Sequence, residues 1–179
     1  MPFNTTEYSQ IQNFINKNSQ KGCKIVAVSK NHPVSSVLEA IKMGVSIFGE
    51  NRVQEAREKF ENIKEKQNNI ELHLTGPLQT NKVKIALKIF NVFQTLDREK
   101  LALEFSKYEN LVKGKKFFIQ INTGAEESKS GVLITEADEF INFCKIKLEL
   151  NVVGLMCIPP IHDDPSDHFS LLKKIATKN

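Results

Sequence analysis

The stretch KIVAVSKNHPVSSVLEAIKMG, Lys24–Gly44, decides the fold. Ile25 to Val28 form an unbroken apolar run suited to a strand buried on both faces, and the run stops at Ser29 and Lys30. From Val34 to Met43 apolar residues recur at helical spacing, and Gly44 closes the segment as helix C-termini commonly do. A short strand followed by an amphipathic helix is one βα unit.

The unit repeats. Apolar runs at KIVAVS (24–29), VSIF (45–48), ELHL (71–74), NVFQT (91–95), KFFIQI (116–121) and NVVGLM (151–156) predict six strands. Helical patterns follow them at Val34–Met43, Arg52–Gln67, Thr80–Phe90, Arg98–Glu109, Thr135–Lys145 and Ser166–Lys178. One more helix, about Thr6–Asn18, precedes the first strand and carries Ile11, Phe14 and Ile15 at helical spacing, as a lid or plug would. Alternating strands and helices, with strands apolar on both faces, imply a parallel sheet covered by helices. No G-x-G-x-x-G follows any strand, which favours an α/β fold of the (β/α) TIM-type barrel kind over an open dinucleotide-binding sheet.

Bulk properties narrow the function classes. At 179 residues, 40% hydrophobic and 26% charged, the chain predicts a single soluble globular domain over 1–179. Its longest apolar runs, Phe117–Ile121 and Val152–Ile158, fall well short of the roughly 20 residues a membrane helix needs. The start MPFNTTEYSQ has neither the basic beginning nor the apolar core of a secretory signal, so the expected location is the cytoplasm. Cys23, Cys144 and Cys157 are too widely spaced for a zinc site or a disulfide framework and read as reduced, mostly buried thiols. The net charge of +4 arises from lysines interleaved with glutamates, as in EAREKFENIKEK, the pattern of solvated helix surface. A nucleic-acid-binding module ranks last, since no aromatic platform or recognised motif accompanies that charge.

In a barrel of this kind the chemistry sits where strands end and lead into helices. The rule selects Lys30, then Gly49, Glu50 and Asn51, then Thr75, Gly76 and Pro77, then Asp97, then Asn122 and Thr123, then Cys157, Ile158 and Pro159. Lys30 is the lysine standing directly at such an end. Desolvated in a pocket, it would lose its proton readily and attack a carbonyl; solvated, it would be a loop lysine. Asn51 reads equally as an N-cap of the next helix or a ligand contact, and TGPLQTNK (75–82) reads first as a turn in which Thr80 or Asn81 caps a helix. His73 lies inside a strand, where hydrogen-bonded core histidines are common. HDDPSDH (162–168) has metal-site residue types without ligand spacing and reads as an acidic turn before a helix, and NTGAEESKSG (122–131) reads as a shaped loop.

Taken together, AVSKNHP, FGENRVQEA, HLTGPLQTNK, INTGAEESKSG and GLMCIPP resemble the pyridoxal phosphate homeostasis proteins, from about Lys24 to Pro160. The resemblance implies a barrel similar to the N-terminal domain of alanine racemase, with Lys30 holding pyridoxal 5′-phosphate (PLP) as a Schiff base. It further implies that Asn51 and Met156 lie against the cofactor and that His73 lies near it. The implied role is intracellular PLP homeostasis without a defined catalytic reaction, with PLP-requiring apoenzymes as partners. The alternatives are a PLP-dependent enzyme of the racemase or decarboxylase type, or a degenerate fragment with weak PLP binding. Tyr8 and Tyr108 are the only tyrosines, and no added β domain is present to supply a second proton donor, so two-base racemisation is not expected.

The count of six units against the eight of a closed barrel marks the chain as lacking the last two βα units. In the family that C-terminal segment carries a Ser- and Gly-containing phosphate loop and an arginine facing the pyridine nitrogen. An unclosed sheet leaves two exposed edges, which implies self-association through them.

Overall fold

The computed structural model describes residues 2–19, 22–126 and 129–179. Its elements run α1 (Thr5–Asn18), β1 (Ala27–Val28), α2 (Val34–Lys42), β2 (Ile47–Glu50), α3 (Val53–Lys66), β3 (Glu71–Leu74), α4 (Val83–Ile89) and β4 (Val92–Leu96). They continue α5 (Glu99–Ser106), α6 (Glu109–Val112), β5 (Lys116–Asn122), β6 (Val132–Leu133), α7 (Ala137–Asn142), β7 (Val152–Met156) and α8 (Pro165–Lys178). Neighbouring strands pair in parallel from β1 to β6, and β7 also pairs with β5, the arrangement of a partial (β/α) barrel. All six expected strands are present. The seventh, β6, is two residues long and sits inside the connection after β5, too short to leave a periodic signal.

The first strand differs from expectation. Only Ala27 and Val28 pair, Ile25 and Val26 are half-buried and Val28 is exposed, whereas the apolar run predicts burial on both faces. Among the described strands β1 has one partner, β2, so one edge and part of one face are left open. The predicted helix at Arg98–Glu109 is broken at Lys107 and Tyr108 into α5 and α6, and that at Thr135–Lys145 runs from a 3₁₀ turn through α7 into a π turn at Phe143–Lys147. α1 lies beside Cys23–Ile25 and Gly44–Ile47, which precede or begin β1 and β2, so it borders the N-terminal end of the sheet. It is therefore placed as a bottom cover and not as a lid over the strand ends.

The two faces of the sheet have different chemistry. Phe48 meets Phe60 of α3 and Phe93 meets Phe105 of α5, which marks Phe48, Leu72, Leu74, Phe93, Phe117, Ile119 and Ile121 as the helix-facing set, all buried. Alternation then sends their neighbours to the opposite face. There stand Glu71, His73, Thr75, Gln94, Gln120 and Asn122, so β3, β4 and β5 turn mainly polar side chains toward the barrel interior, which corrects the expectation of two apolar faces for these strands, while β1 and β7 put Val28 and Met156 there.

The lysine pattern of α3 also departs from a solvated surface. Lys59 is 7% exposed and Lys64 is half-buried, its ammonium donating to Ile89 O at 2.9 Å and Asn91 Oδ1 at 2.7 Å. Lys115 donates to Phe90 O at 2.8 Å. Two cations thus satisfy carbonyls at the C-terminus of α4, where the helix dipole favours positive charge. Burial lowers the proton affinity of both ammonium groups.

All three thiols are free, but they differ in exposure: Cys144 is buried, Cys157 half-buried and Cys23 exposed, so only part of the buried-thiol expectation holds. Burial pushes the Cys144 thiol up to about 12. In the folded chain near pH 8 an aromatic disulfide reagent is expected to modify Cys23 about a thousandfold faster than Cys144, whose thiolate is scarce as well as enclosed. Stopped-flow thiol titration before and after unfolding checks this, and prompt modification of Cys144 in the native chain would contradict it.

Candidate functional site

Register places part of the sequence-selected set on one face. Val28 pairs with Gly49 and Gly49 with His73, so Val28, Gly49 and His73 form one layer across β1, β2 and β3. Two residues further on, Lys30, Asn51 and Thr75 form the next layer, at the C-terminal mouth. Met156 pairs with Gln120 and ends β7 on the same face. Gly49 permits this approach, because a Cβ there would stand 3.2 Å from both Val26 Cγ1 and Val28 Cγ2 and 3.3 Å from Thr75 Cγ2.

Lys30 itself is exposed, not desolvated, because the open edge of β1 lies beside it. Asn31, which follows it, has φ 62, a left-handed turn that Asn tolerates better than most residues. Asn51 does not cap α3: that position is Arg52, which makes no side-chain cap bond. Instead Asn51 Oδ1 accepts from Thr75 Oγ1 at 2.9 Å, tying the ends of β2 and β3 together. Gly76 makes the tie possible, since a Cβ at that position would lie 2.3 Å from Asn51 O. The turn 75–82 likewise lacks a side-chain cap at Gln79 or Lys82, so the capping role read for Thr80 and Asn81 is not used.

His73 is a hydrogen-bonded histidine of the interior, 7% exposed. Gln94 Nε2 donates to its Nδ1 at 2.7 Å, which leaves Nε2–H to donate to Glu71 Oε1 at 3.1 Å. Burial lowers its pKa below 6.5 and outweighs the opposing pull of Glu71. The folded ring therefore takes up a proton at lower pH than the unfolded one. Stability present above about 6.5 is expected to fall as pH drops through that region toward the lowered folded value. Urea midpoints from pH 8 to 5 should decline in the parent and stay flatter over the upper part of that range in His73→Gln; parallel curves would contradict the assignment.

The remaining strand-end groups are mostly architectural. Asn122 Nδ2 donates to Glu126 O at 2.9 Å and its Oδ1 accepts from Glu126 N at 3.2 Å, which shapes the loop after β5; Glu127 and Ser128 of that loop lie outside the described residues. Asp164 caps α8, accepting from Ser166 N at 2.9 Å, and Pro165 occupies the first turn, so HDDPSDH is the turn before a helix. His168 leaves that turn to reach Thr123 Oγ1 at 2.9 Å. Asp97 pairs with Arg98, whose guanidinium also donates to Leu78 O at 2.7 Å.

Among the cavities at this end of the sheet, two are lined by these strand-end residues. One, about 260 Å³, is lined by Thr75, Gln120, Asn122, Lys129 and Ser130 among others. The second, about 650 Å³, runs outward from Asn51 past Arg52, Lys82 and Arg98.

Residues 7–177 match the family described as alanine racemase, N-terminal domain. A pyridoxal phosphate homeostasis protein of Buchnera aphidicola subsp. Schizaphis graminum is 38% identical over 159 residues, covering 85% of this chain and 67% of that protein. The chain belongs to the pyridoxal phosphate homeostasis protein family. The Haemophilus influenzae member is 37% identical over 158 residues, 88% of this chain and 67% of its own length, so the chain spans about two thirds of these relatives. Among solved structures it is similar to PipY of Synechococcus elongatus with PLP bound, at TM-score 0.79 and 25% identity, covering 95% of this chain and 80% of PipY. Alanine racemase from Corynebacterium glutamicum shares the fold, at TM-score 0.66 and 16% identity over 88% of this chain and 45% of that one.

Within this family member, sequence reasoning missed the helix-facing group behind the mouth. Lys59 Nζ donates to Ser29 O at 2.6 Å, to Glu50 Oε1 at 3.0 Å and to Glu55 Oε1 at 2.6 Å. The signal was present: Lys59 falls on the stripe Ala56, Phe60, Ile63 that α3 buries. Glu50, read from the sequence as a strand-end group, is fully buried on that same side and does not face the mouth.

Proposed function

We propose that this chain binds PLP at the C-terminal mouth of its sheet, with Lys30 as the covalent anchor, and that its role is to hold the cofactor in PLP homeostasis. The observation that carries the reading is the layer formed by Lys30, Asn51 and Thr75 on the barrel face, in a chain similar in structure to PipY, which is known with PLP bound. Bound PLP supplies an electrophilic aldehyde. Lys30 would hold that aldehyde carbon through its amine as a Schiff base, with the carbonyl oxygen lost as water. Asn51 follows the end of the neighbouring strand, His73 lies one layer below, Met156 ends β7 on the same face of the sheet, and the polar cavity lined by Gln120, Asn122, Lys129 and Ser130 offers donors to an anionic ligand.

A holding role, and not turnover, is supported by the position of the tyrosines. Tyr8 sits on α1 at the far end of the sheet, and Tyr108 donates to Glu104 Oε1 at 3.3 Å on the helical layer. Neither is placed to move a proton at the mouth. Release to PLP-requiring apoenzymes follows from the reversibility of the C=N bond.

The open edges carry a second part of the reading, contact with another copy of the chain. Exposed Val28 and Leu38 lie by the β1 edge and exposed Val153, Ile158 and Phe169 by β7 and α8, apolar surface that water disfavours. Sedimentation should show concentration-dependent association.

Titration with PLP, followed by absorbance near the visible edge, tests the binding. The parent is expected to develop the Schiff-base band and Lys30→Ala to lose it. A band of equal size in Lys30→Ala, or none in the folded parent, would overturn the reading. Exchange of amino-acid α-hydrogens that requires Lys30 would overturn the non-catalytic part.

A further inference from the structure

Resting on the assignment of Lys30 as the anchor, we propose that Lys59 with Glu50 and Glu55 is a positioning group that fixes the Ser29–Lys30–Asn31 turn and so aims the Lys30 amine. The mouth alone does not account for that aim. Lys30 is exposed, and among the described residues no hydrogen bond or ion pair holds its side chain. Whatever directs the amine must act through the backbone on either side of it.

Both sides are gripped from the helix-facing layer. On the strand side, Ser29 N donates to Gly49 O at 2.9 Å, its hydroxyl donates to Glu50 Oε1 at 2.7 Å, and its carbonyl accepts from Lys59 at 2.6 Å. On the loop side, Asn31 N donates to Glu55 Oε1 at 2.6 Å, the same oxygen that accepts from Lys59. One buried ammonium therefore links the peptide groups before and after Lys30. The left-handed φ of Asn31 completes the turn that carries Lys30.

The chemistry explains why such a grip matters. An amine adds to an aldehyde along a restricted approach, and a displacement of about 1 Å can slow a positioned reaction up to about a hundredfold. A solvated lysine on a free loop would sample many directions. A purely structural pair would only dock α3 onto the sheet, and the two roles predict different kinetics.

The decisive variant is Glu55→Ala, because Glu55 is partly exposed in the first turn of α3 and its loss spares the buried Lys59–Glu50 pair. Condensation with PLP is followed by stopped flow over a range of PLP concentrations. Glu55→Ala is expected to lower the maximal rate about tenfold or more and to change the half-saturating concentration less than about twofold. Lys59→Met should show the same loss and Lys59→Arg should recover most of it. Glu61→Ala, which removes only the surface pair with Arg57, should match the parent.

Amide hydrogen exchange in the PLP-free chain supplies the independent arm. Protection at Asn31 should be lost in Glu55→Ala and kept in Glu61→Ala. A parent-like maximal rate in Glu55→Ala would overturn the inference while leaving PLP binding intact. If the parent forms no adduct at Lys30, the anchor reading fails on its own. The exchange arm then decides the clamp: lost protection supports it, and retained protection at Asn31 removes it.

Discussion

Replacing Phe93 by alanine is expected to cost about 3–5 kcal/mol, a large part of the roughly 5–15 kcal/mol typical of a domain. Phe93 is 1% exposed at the centre of the helix-facing layer. Its ring stacks on Phe117 at 5.4 Å, meets the edge of Phe105 at 4.8 Å and lies 6.0 Å from Phe90. Removing it takes the common neighbour from a cluster contributed by β4, β5, α5 and the end of α4. The surrounding rings are held by the sheet and close the space only in part, so a cavity term adds to the lost transfer energy. Urea unfolding should show a midpoint lowered by roughly 2 M for a slope near 2 kcal/mol/M. A shift below about 0.5 M would mean that the aromatic cluster is not the keystone of this layer.

Lys59→Met should destabilise by a comparable amount, about 3–5 kcal/mol, for a different reason. Methionine preserves the apolar stem, so packing along α3 changes little. What is lost is the charge that faces Glu50, a residue with no exposed surface, one of whose carboxylate oxygens, Oε2, already lacks a hydrogen-bond partner among the described residues. A buried carboxylate without its cation is far costlier than a neutral residue of the same shape. Lys59→Met with Glu50→Gln should therefore be more stable than Lys59→Met alone, by about 1 kcal/mol or more. Additive losses in a double-mutant cycle by urea denaturation would contradict the coupling.

The alternation of short apolar runs with amphipathic helices was enough to read the parallel sheet and six of its strands, because that period is set by burial and survives in every unit. β6 escaped, being a two-residue bridge whose existence depends on where the loop after β5 folds back. The polar interior was legible in ELHLT and IQIN, where every second residue is polar, but the apolar bulk of each run concealed it. Position at a strand end put Lys30 among the candidates but left it open between a loop lysine and an anchor, and the family resemblance is what assigned it the cofactor. Asn51 was found with its role open, and the structure resolves it as a tie to Thr75 in place of a helix cap. Lys59 was missed because a lysine among glutamates resembles solvated surface until the apolar stripe of α3 is counted through it. The Ser29–Glu50–Lys59–Glu55 group joins residues up to 30 positions apart, a proximity that no local pattern encodes.

The measurement that bears most directly on the central claim is borohydride reduction of the PLP-treated chain, followed by mass mapping of the modified peptides. A pyridoxyl group on Lys30 at equimolar PLP, with the other lysines unmodified, is the expected result. Label spread over surface lysines with Lys30 untouched would contradict it.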